Sequence, residues 1–232
     1  MTNLKRIITY IAGLFVLALG VSISVKSDLG VSPVSSLPYV FSLIFNIEMG
    51  YFSMGVFIFF ILVQLLILRK DFKITRALQI FCSIAFGYFV NLSNYLLSLF
   101  TVPDNLILRL TLAVFSAAVC GLGIFLYVEP KVMPLPAEGL TEVISGKVGR
   151  PFSKVKVYFD LFMLGVSVAF SLGFLGRIEG IGIGTVISAF LIGRFVGIFS
   201  GLFRKRLQWF FTPDRLKVAS EGISGISGNG AK

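Results

Sequence analysis

Apolar residues run in long blocks along this chain, and short polar intervals separate the blocks. A membrane-spanning helix needs about 20 mostly apolar residues to cross a hydrocarbon core of about 30 Å. The blocks long enough for this are residues 7–25, 51–68, 77–100, 106–128, 155–174 and 181–203. The pattern therefore predicts an all-α protein, a polytopic bundle of six membrane-spanning helices.

Two further apolar segments, residues 33–46 and 136–146, are too short to cross in the ordinary way. Proline and polar residues interrupt both of them. The pattern allows three arrangements: re-entrant segments that dip into the bilayer and return, amphipathic helices in the interface, or squeezed spans.

Composition narrows the classes of protein. The chain is 56% hydrophobic and 14% charged, with a mean hydropathy of +0.93, whereas soluble domains contain about 25% charged residues. A net charge of +10 is compatible with a nucleic-acid partner, but the basic residues lie beside apolar segments, as membrane insertion favours. Histidine is absent, and Cys82 and Cys120 lie inside apolar runs. We expect no enzyme, no metal or other cofactor, and no nucleic-acid partner.

The distribution of Lys and Arg predicts how the helices are oriented. If only the six long blocks cross and the N-terminus is cytoplasmic, 17 basic residues are inside and three, Lys26, Arg109 and Arg177, are outside. If all eight segments cross, the ratio falls to 13 against 7. Because Lys/Arg bias orients membrane helices, we expect six spans, two non-crossing segments, and cytoplasmic N- and C-termini.

The two halves of the chain resemble each other. ALGVSISVKSDLGVSPVSSLPYVFS (18–42) aligns without a gap with GLGIFLYVEPKVMPLPAEGLTEVIS (121–145), and GYFVN (87–91) resembles GRFVG (193–197). Matching residues include the pairs Gly20/Gly123, Val25/Val128, Pro33/Pro136, Leu37/Leu140 and Ser42/Ser145. Each half has the order span, short segment, span, span. Since three spans per half is an odd number, the second repeat must be inserted upside down.

This order predicts two inverted-topology repeats, residues 1–101 and 102–206, each with three spans and a short helix. Residues 207–232 are expected to form an interfacial aromatic anchor and a disordered cytoplasmic tail. In secondary transporters built from inverted repeats, short helices at corresponding places in both halves mark the binding site. We therefore favour re-entrant half-helices whose N-termini meet near the bilayer midplane.

Polar residues of the short helices are the first candidates for binding a solute or an ion. Ser32, Ser35 and Ser36 lie around the start of the first short helix, where Ser32 can cap the helix. Glu138 and Glu142 of the second short helix are spaced i,i+4 and share a face. Facing a cavity, they could bind a proton or a cation. On an interfacial helix, they would only form its solvent-exposed face.

Charged and amide side chains within the spans are the second set of candidates. Arg194 lies too deep to reach the interface easily, so it is either an anion contact or gate, or half of a structural ion pair. Asp160 is its expected partner and could serve ion or proton coupling. Alternatively, Asp160 pairs with Lys156, four residues before it. Asn91 either lines a pathway or forms a hydrogen bond between helices.

The pattern G-x-x-x-x-x-K-x-x-L-G-x-S-P at residues 20–33, and LGVSP in particular, resembles the YczE/YyaS/YitT family of bacterial integral membrane proteins. The likeness covers most of residues 5–206. It implies a multi-pass protein of the bacterial cell membrane, and it carries over no catalytic residue.

These features predict a secondary transporter for a small polar or charged solute, with alternating access around the two half-helices. The alternative is a non-transporting membrane protein that regulates or scaffolds a partner complex. The expected partners are the lipid bilayer and a small solute or ion, and so small a bundle could form a homodimer. The charge of the solute stays open, because Arg194 and the helix dipoles favour an anion, whereas Glu138 and Glu142 favour a cation.

Overall fold

The computed structural model describes residues 2–212, and the regular secondary structure within them is helical throughout. Its α-helices, in chain order, are α1 (Thr2–Ser27), α2 (Pro33–Phe45), α3 (Met49–Leu68), α4 (Ile74–Ala77), α5 (Gln79–Ser98), α6 (Leu106–Val128), α7 (Pro136–Val148), α8 (Phe152–Phe170) and α9 (Ile183–Phe211). A 3₁₀ turn, Arg69–Asp71, follows α3, and a π-helical turn, Ser171–Leu175, continues α8.

Six helical segments of the described part are long and apolar enough to cross a membrane. They include α1, α3, α5, α6, α8 and α9, so the predicted six-helix membrane bundle is confirmed at this level. The largest difference in bounds is at α9, which was expected to end at residue 203 and continues to Phe211. No glycine or proline interrupts residues 204–211, so nothing stops the helix there. The rest of the predicted tail lies outside the described residues.

The two short helices are alike in length and in both termini. Each has 13 residues and begins with proline, at a position where the missing backbone N–H breaks no hydrogen bond. Each ends at a residue in the left-handed conformation, Asn46 (φ 52°) after α2 and Gly149 (φ 67°) after α7. That conformation ends a helix, because it turns the chain away from the helix axis.

Helix α1 crosses α6 at the centre of the bundle, and two glycines allow the close approach. A Cβ added to Gly20 would lie 2.6 Å from the Cys120 sulfur, and one added to Gly123 would lie 2.6 Å from the Cα of Leu17. Neither distance leaves room for a side chain. Outside this central pair, α5 packs on α1, and α9 packs on α6.

The short helices fill the space between the two halves of the chain. Helix α2 packs on α3, which follows it, and on α8 of the other half. Helix α7 packs on α8, which follows it, and on α3 of the other half. Both short helices therefore join the same two spans.

Loops at one end of the bundle, the Asp28 end, are tied together by ion pairs and backbone hydrogen bonds. The Arg109 guanidinium pairs with Asp28 at 3.0 Å and with Asp104 at 3.2 Å. The Leu29 carbonyl, in the α1–α2 loop, accepts a hydrogen bond of 2.7 Å from the Gly184 amide at the start of α9. The end of α1, the start of α6 and the start of α9 thus lie together.

The opposite end, the Glu129 end, is held by one largely buried carboxylate. Glu129 follows the last residue of α6, and its side chain is only 9% exposed. It accepts hydrogen bonds from Arg204 (3.2 Å) and from Gln208 (2.7 Å) of α9. The last turns of α9 are therefore attached to the end of α6.

Candidate functional site

A cavity of about 910 Å³ lies between the two halves, and the first turns of both short helices line it. Ser32 and Ser35 line it from the start of α2, and Glu138 lines it from the first turn of α7. Four aromatic residues from four spans add to the wall, namely Phe57, Phe86, Tyr127 and Phe152. The cavity is thus the place where the predicted polar residues of the two short helices come together.

Glu138 is the most distinctive group in this cavity. Its Oε2 atom is buried and has no hydrogen-bond partner among the described residues. Tyr127 of α6 and the charged pair Lys156 and Asp160 of α8 are its electrostatic neighbours. Burial raises the pKa of the Glu138 carboxyl above its ordinary value, because a low-dielectric surrounding disfavours the charged form.

Glu142 also lines the cavity, but its surroundings differ from those of Glu138. Its side chain is 60% exposed and pairs with Arg76 at 3.4 Å. The two glutamates share one side of α7, as their spacing predicted, yet only Glu138 has a buried oxygen without a partner. The carboxylates therefore do not form an equivalent pair.

Two buried amide side chains hold the first turn of α7, and sequence reasoning missed both. The Gln64 Nε2 group donates to Gln79 Oε1 (3.1 Å) and to the Pro136 carbonyl (3.2 Å), and Arg76 donates to Gln64 Oε1 (3.2 Å). Both glutamines are at most 1% exposed. The available signal was a lone glutamine inside an apolar span, Gln64, because a buried amide needs partners.

The three serines of α2 have different surroundings. Ser32 occupies the N-cap position, but its hydroxyl donates to Ser35 Oγ (3.0 Å) rather than to a backbone amide, so the predicted side-chain cap is wrong. Ser32 and Ser35 line the cavity. Ser36 is fully buried and lies 2.7 Å from Ser167 of α8, hydroxyl to hydroxyl. Ser36 therefore joins two helices and is not among the residues that line the cavity.

Asp160 and Arg194 do not form the expected ion pair. Asp160 of α8 pairs with Lys156, which is four residues earlier on the same helix, and both line the cavity. Arg194 of α9 is exposed and is absent from the cavity lining. The alternative pairing of Asp160 with Lys156 is the one observed, because the two side chains share one face of α8.

Asn91 bonds between helices and does not line the cavity. Its Oδ1 atom accepts a hydrogen bond of 2.7 Å from the backbone amide of Gly50, the second residue of α3. The first amides of a helix have no partner within the helix. Asn91 of α5 supplies one here, and it fixes the start of α3 against α5.

The span pairs α3/α5 and α8/α9 differ in how closely their two helices pack. The α3/α5 seam, defined by Gly50, Met54 and Gly87, is closed: a Cβ added to Gly87 would lie 2.5 Å from the Gly50 oxygen and 2.7 Å from Met54 Cε. Helix α9, in contrast, scarcely touches α8. An added Cβ at Gly193 would meet no atom of residues 2–212 within 4 Å. Gly193 instead lines the cavity, as do Lys156 and Asp160 on the facing side of α8.

Comparisons with known proteins agree with this membrane architecture. Residues 4–201 match a family described as a family of unknown function, DUF6198. The chain is also 27% identical over 185 residues to the uncharacterized membrane protein YczE of Bacillus subtilis (strain 168), which covers 79% of this chain and 80% of that protein. No solved structure matches the chain.

Proposed function

The chain belongs to the DUF6198 family, the predicted resemblance to YczE is confirmed, and from this premise we propose a secondary transporter for a small polar or charged solute. Two inverted repeats form it, and access to the central cavity alternates between the two faces of the membrane. The observation that carries this proposal is the shared cavity, lined by the first turns of both short helices. In inverted-repeat transporters, short helices at corresponding places bind the substrate.

A constant offset of 103 positions relates features of the two halves and supports the repeat. The first residues of α2 and α7 (33 and 136) are this far apart, and so are the first residues of α3 and α8 (49 and 152). The offset also pairs two left-handed residues, Asp28 (φ 55°) and Lys131 (φ 53°). Neither is glycine, so each backbone conformation is uncommon.

The same offset relates contacts between the halves. Gly20 approaches Cys120, and the position 103 after Gly20 is Gly123, which approaches Leu17. Leu17 is itself 103 positions before Cys120. One close contact therefore becomes the other when the halves are exchanged, as a pseudo-two-fold axis requires.

A second pair of contacts follows this rule. Ser36 of α2 bonds to Ser167 of α8, and the equivalent positions are Gly139 of α7 and Gln64 of α3. A Cβ added to Gly139 would lie 3.1 Å from Gln64 Oε1. The Gln64 side chain and Gln79 Nε2, which would lie 2.7 Å from the same Cβ, together occupy the space that glycine leaves.

Re-entrant short helices are supported by the positions of the neighbouring spans. Helix α1 ends at the Asp28 end, where its last loop contacts α9. Helix α3 begins against the second half of α5, which leads to the α5–α6 loop at that same end. A helix between them has no need to cross the bundle. We place the Glu129 end in the cytoplasm, because the basic cluster Arg204, Lys205 and Arg206 of α9 lies there, and Lys and Arg are enriched on the cytoplasmic side.

Alternating access is supported by the difference between the two seams. The glycine of GYFVN, Gly87, contacts Gly50 and Met54 in the closed α3/α5 seam. Its counterpart by motif in GRFVG, Gly193, lies 106 rather than 103 positions later, and a Cβ added there would meet none of the described residues within 4 Å. In the alternate state, we expect α8 to approach Gly193 through Val157, the position 103 after Met54, while the α3/α5 seam opens.

Cysteine cross-linking tests this exchange. In a Cys82→Ser/Cys120→Ala background, we expect Val157→Cys/Gly193→Cys to form a disulfide in membranes, although a Cβ at position 193 has no neighbour within 4 Å here. A disulfide needs Cβ atoms about 3.8 Å apart, so it would trap the second state. The matched control, Met54→Cys/Gly87→Cys, tests the seam that is already closed.

Function is measured in parallel as solute-induced current across proteoliposomes on a solid support, with panels of organic and inorganic ions. Each disulfide should abolish the current, and reduction should restore it. Absence of the Val157–Gly193 disulfide together with silence across the panels would contradict transport. The regulatory or scaffolding alternative would then be favoured.

A further inference from the structure

We propose that the cavity binds an organic cation with an apolar body, and that the Glu138 carboxylate is its counter-ion. This inference rests on the proposed transporter function and names its substrate class. The inference is drawn from the cavity itself. There, a buried carboxylate oxygen without a hydrogen-bond partner among the described residues lies among aromatic side chains.

Among the described residues, no charged side chain forms an ion pair with Glu138, although Lys156 lies near enough to favour its ionised form. The charged residues of its lining are Lys131, Glu138, Glu142, Lys156 and Asp160. Lys156 pairs with Asp160, and Glu142 pairs with Arg76. Lys131 is exposed in the α6–α7 loop, where solvent screens its charge. A cation that enters the cavity therefore meets one buried carboxylate oxygen that no group of the described residues satisfies.

The walls suit the apolar part of such a ligand. Phe57 and Phe86 stack on each other with centroids 5.4 Å apart, and both line the cavity. Tyr127 lines it beside Glu138. Aromatic faces attract organic cations when water is excluded. The volume of about 910 Å³ is within the range of ligand pockets, about 300–1,000 Å³.

Arg194 and the dipole of α7, two of the features that favoured an anion in the sequence, do not favour one in the structure. Arg194 is exposed on α9 and does not line the cavity. The N-terminus of α7 is occupied by Glu138, whose carboxylate interacts with its own backbone amide. The helix dipole thus stabilises this fixed negative charge. An added anion would face that charge directly.

The test is equilibrium binding of tritiated tetraphenylphosphonium to the purified full-length protein in nanodiscs. We expect saturable binding that Glu138→Gln weakens by about tenfold or more, the order expected for loss of one desolvated charge–charge contact. Glu138→Asp keeps the charge and should retain part of the affinity. Thermal unfolding of each variant shows whether the loss reflects misfolding.

Glu129→Gln is the matched control. Glu129 is also a largely buried glutamate, but Arg204 and Gln208 satisfy it and it is outside the cavity lining. We expect its affinity for the probe to stay within about threefold of wild type. Equal affinity in wild type and a folded Glu138→Gln variant would overturn the inference, as would Glu138-independent saturable binding of radiolabelled benzoate.

Failure of this inference and failure of the transporter proposal give different results. If tetraphenylphosphonium binds through Glu138 but no solute produces a current, the cation site stands and transport fails. If anionic solutes produce currents and Glu138→Gln leaves them unchanged, transport stands and the cation site fails. Currents that proton gradients alone produce and that require Glu138 would identify a proton site and would also overturn the organic-cation assignment.

Discussion

The hydroxyl of Ser36 on α2 lies 2.7 Å from that of Ser167 on α8, and both side chains are completely buried. Ser36 can also donate to the Pro33 carbonyl and Ser167 to the Met163 carbonyl, each at 2.7 Å. Each hydroxyl has one proton, so only two of these three bonds exist at once. The contact that joins the short helix α2 to α8 of the other half therefore competes with hydrogen bonds inside each helix.

That competition predicts a small coupling energy between Ser36 and Ser167. Ser36→Ala and Ser167→Ala should each lower the free energy of unfolding by about 0.5–1.5 kcal/mol. The double variant should be more stable than the sum predicts by about 0.6 kcal/mol, as found for hydrogen bonds between membrane helices. A double-mutant cycle of unfolding in mixed micelles measures this. Strict additivity would show that the two hydroxyls do not interact.

The α1–α6 crossing predicts that Gly20→Ala and Gly123→Ala are strongly destabilising. Each new methyl would lie within 2.7 Å of atoms of the facing helix, including the Cys120 amide nitrogen and the Leu17 Cα. Overpacking of this kind costs about 1–3 kcal/mol or more. Unfolding midpoints in detergent provide the measurement.

Gly197→Ala is the control for both variants, because a Cβ at Gly197 meets no atom within 4 Å in the part of the chain that the structure describes. We expect its stability to stay within about 0.5 kcal/mol of wild type. If Gly20→Ala and Gly123→Ala were no more destabilising than Gly197→Ala, packing at the crossing would not be the reason for the two glycines.

At the Glu129 end, removing either member of the Glu129–Arg204 pair should have unequal effects. The Arg204 side chain is 53% exposed, whereas that of Glu129 is 9% exposed. Arg204→Ala leaves a buried carboxylate with Gln208 as its remaining partner. Glu129→Ala leaves an arginine that can turn to water. Because the uncompensated buried charge is the costly one, we expect Arg204→Ala to lower the thermal unfolding midpoint more. The reverse order would contradict the burial of Glu129.

Binding of tetraphenylphosphonium should weaken as the pH falls. The cation binds the ionised form of Glu138, so a proton competes with it. Because burial raises the pKa of Glu138, the loss should begin at a higher pH than for an exposed glutamate, whose pKa is about 4.3. Affinities measured from about pH 5 to about pH 9 test whether binding weakens as the pH falls.

Other titratable groups face Glu138 and need controls in that experiment. They are Tyr10 of α1, Tyr127 of α6, Lys156 and Asp160 of α8, and Glu142 of α7. Glu138→Gln should abolish the pH dependence below neutrality, whereas Asp160→Asn should leave a dependence of the same sign. A wild-type affinity that is constant over this range would be incompatible with binding to the Glu138 carboxylate.

The sequence predicted the membrane helices well, because the length and hydropathy of a span are set by the bilayer and can be counted along the chain. The bounds of α6 agree with the prediction at both ends, and both short helices begin at the predicted prolines. The end of α9 was wrong by eight residues, from 203 to Phe211. The contact of Glu129 with Arg204 and Gln208 joins residues far apart in the chain, which no local pattern records.

The candidate site was predicted in part. The sequence identified Ser32, Ser35 and Glu138 as members of one site, and they line one cavity. It also proposed Arg194 for that site, because depth in a span can be read from the sequence. The direction in which a helix residue points depends on which neighbours pack around it, and here α9 turns Arg194 outwards.

By itself, the amino-acid sequence determined the class of protein, the number of membrane-spanning helices and the proline starts of the short helices. These depend on hydrophobic length and local backbone chemistry, which act within a few residues. Only the tertiary structure decided that Glu138 keeps a buried oxygen without a partner while Glu142 reaches Arg76. Burial and pairing are properties of the surrounding helices, and α7 is surrounded by spans from both halves of the chain.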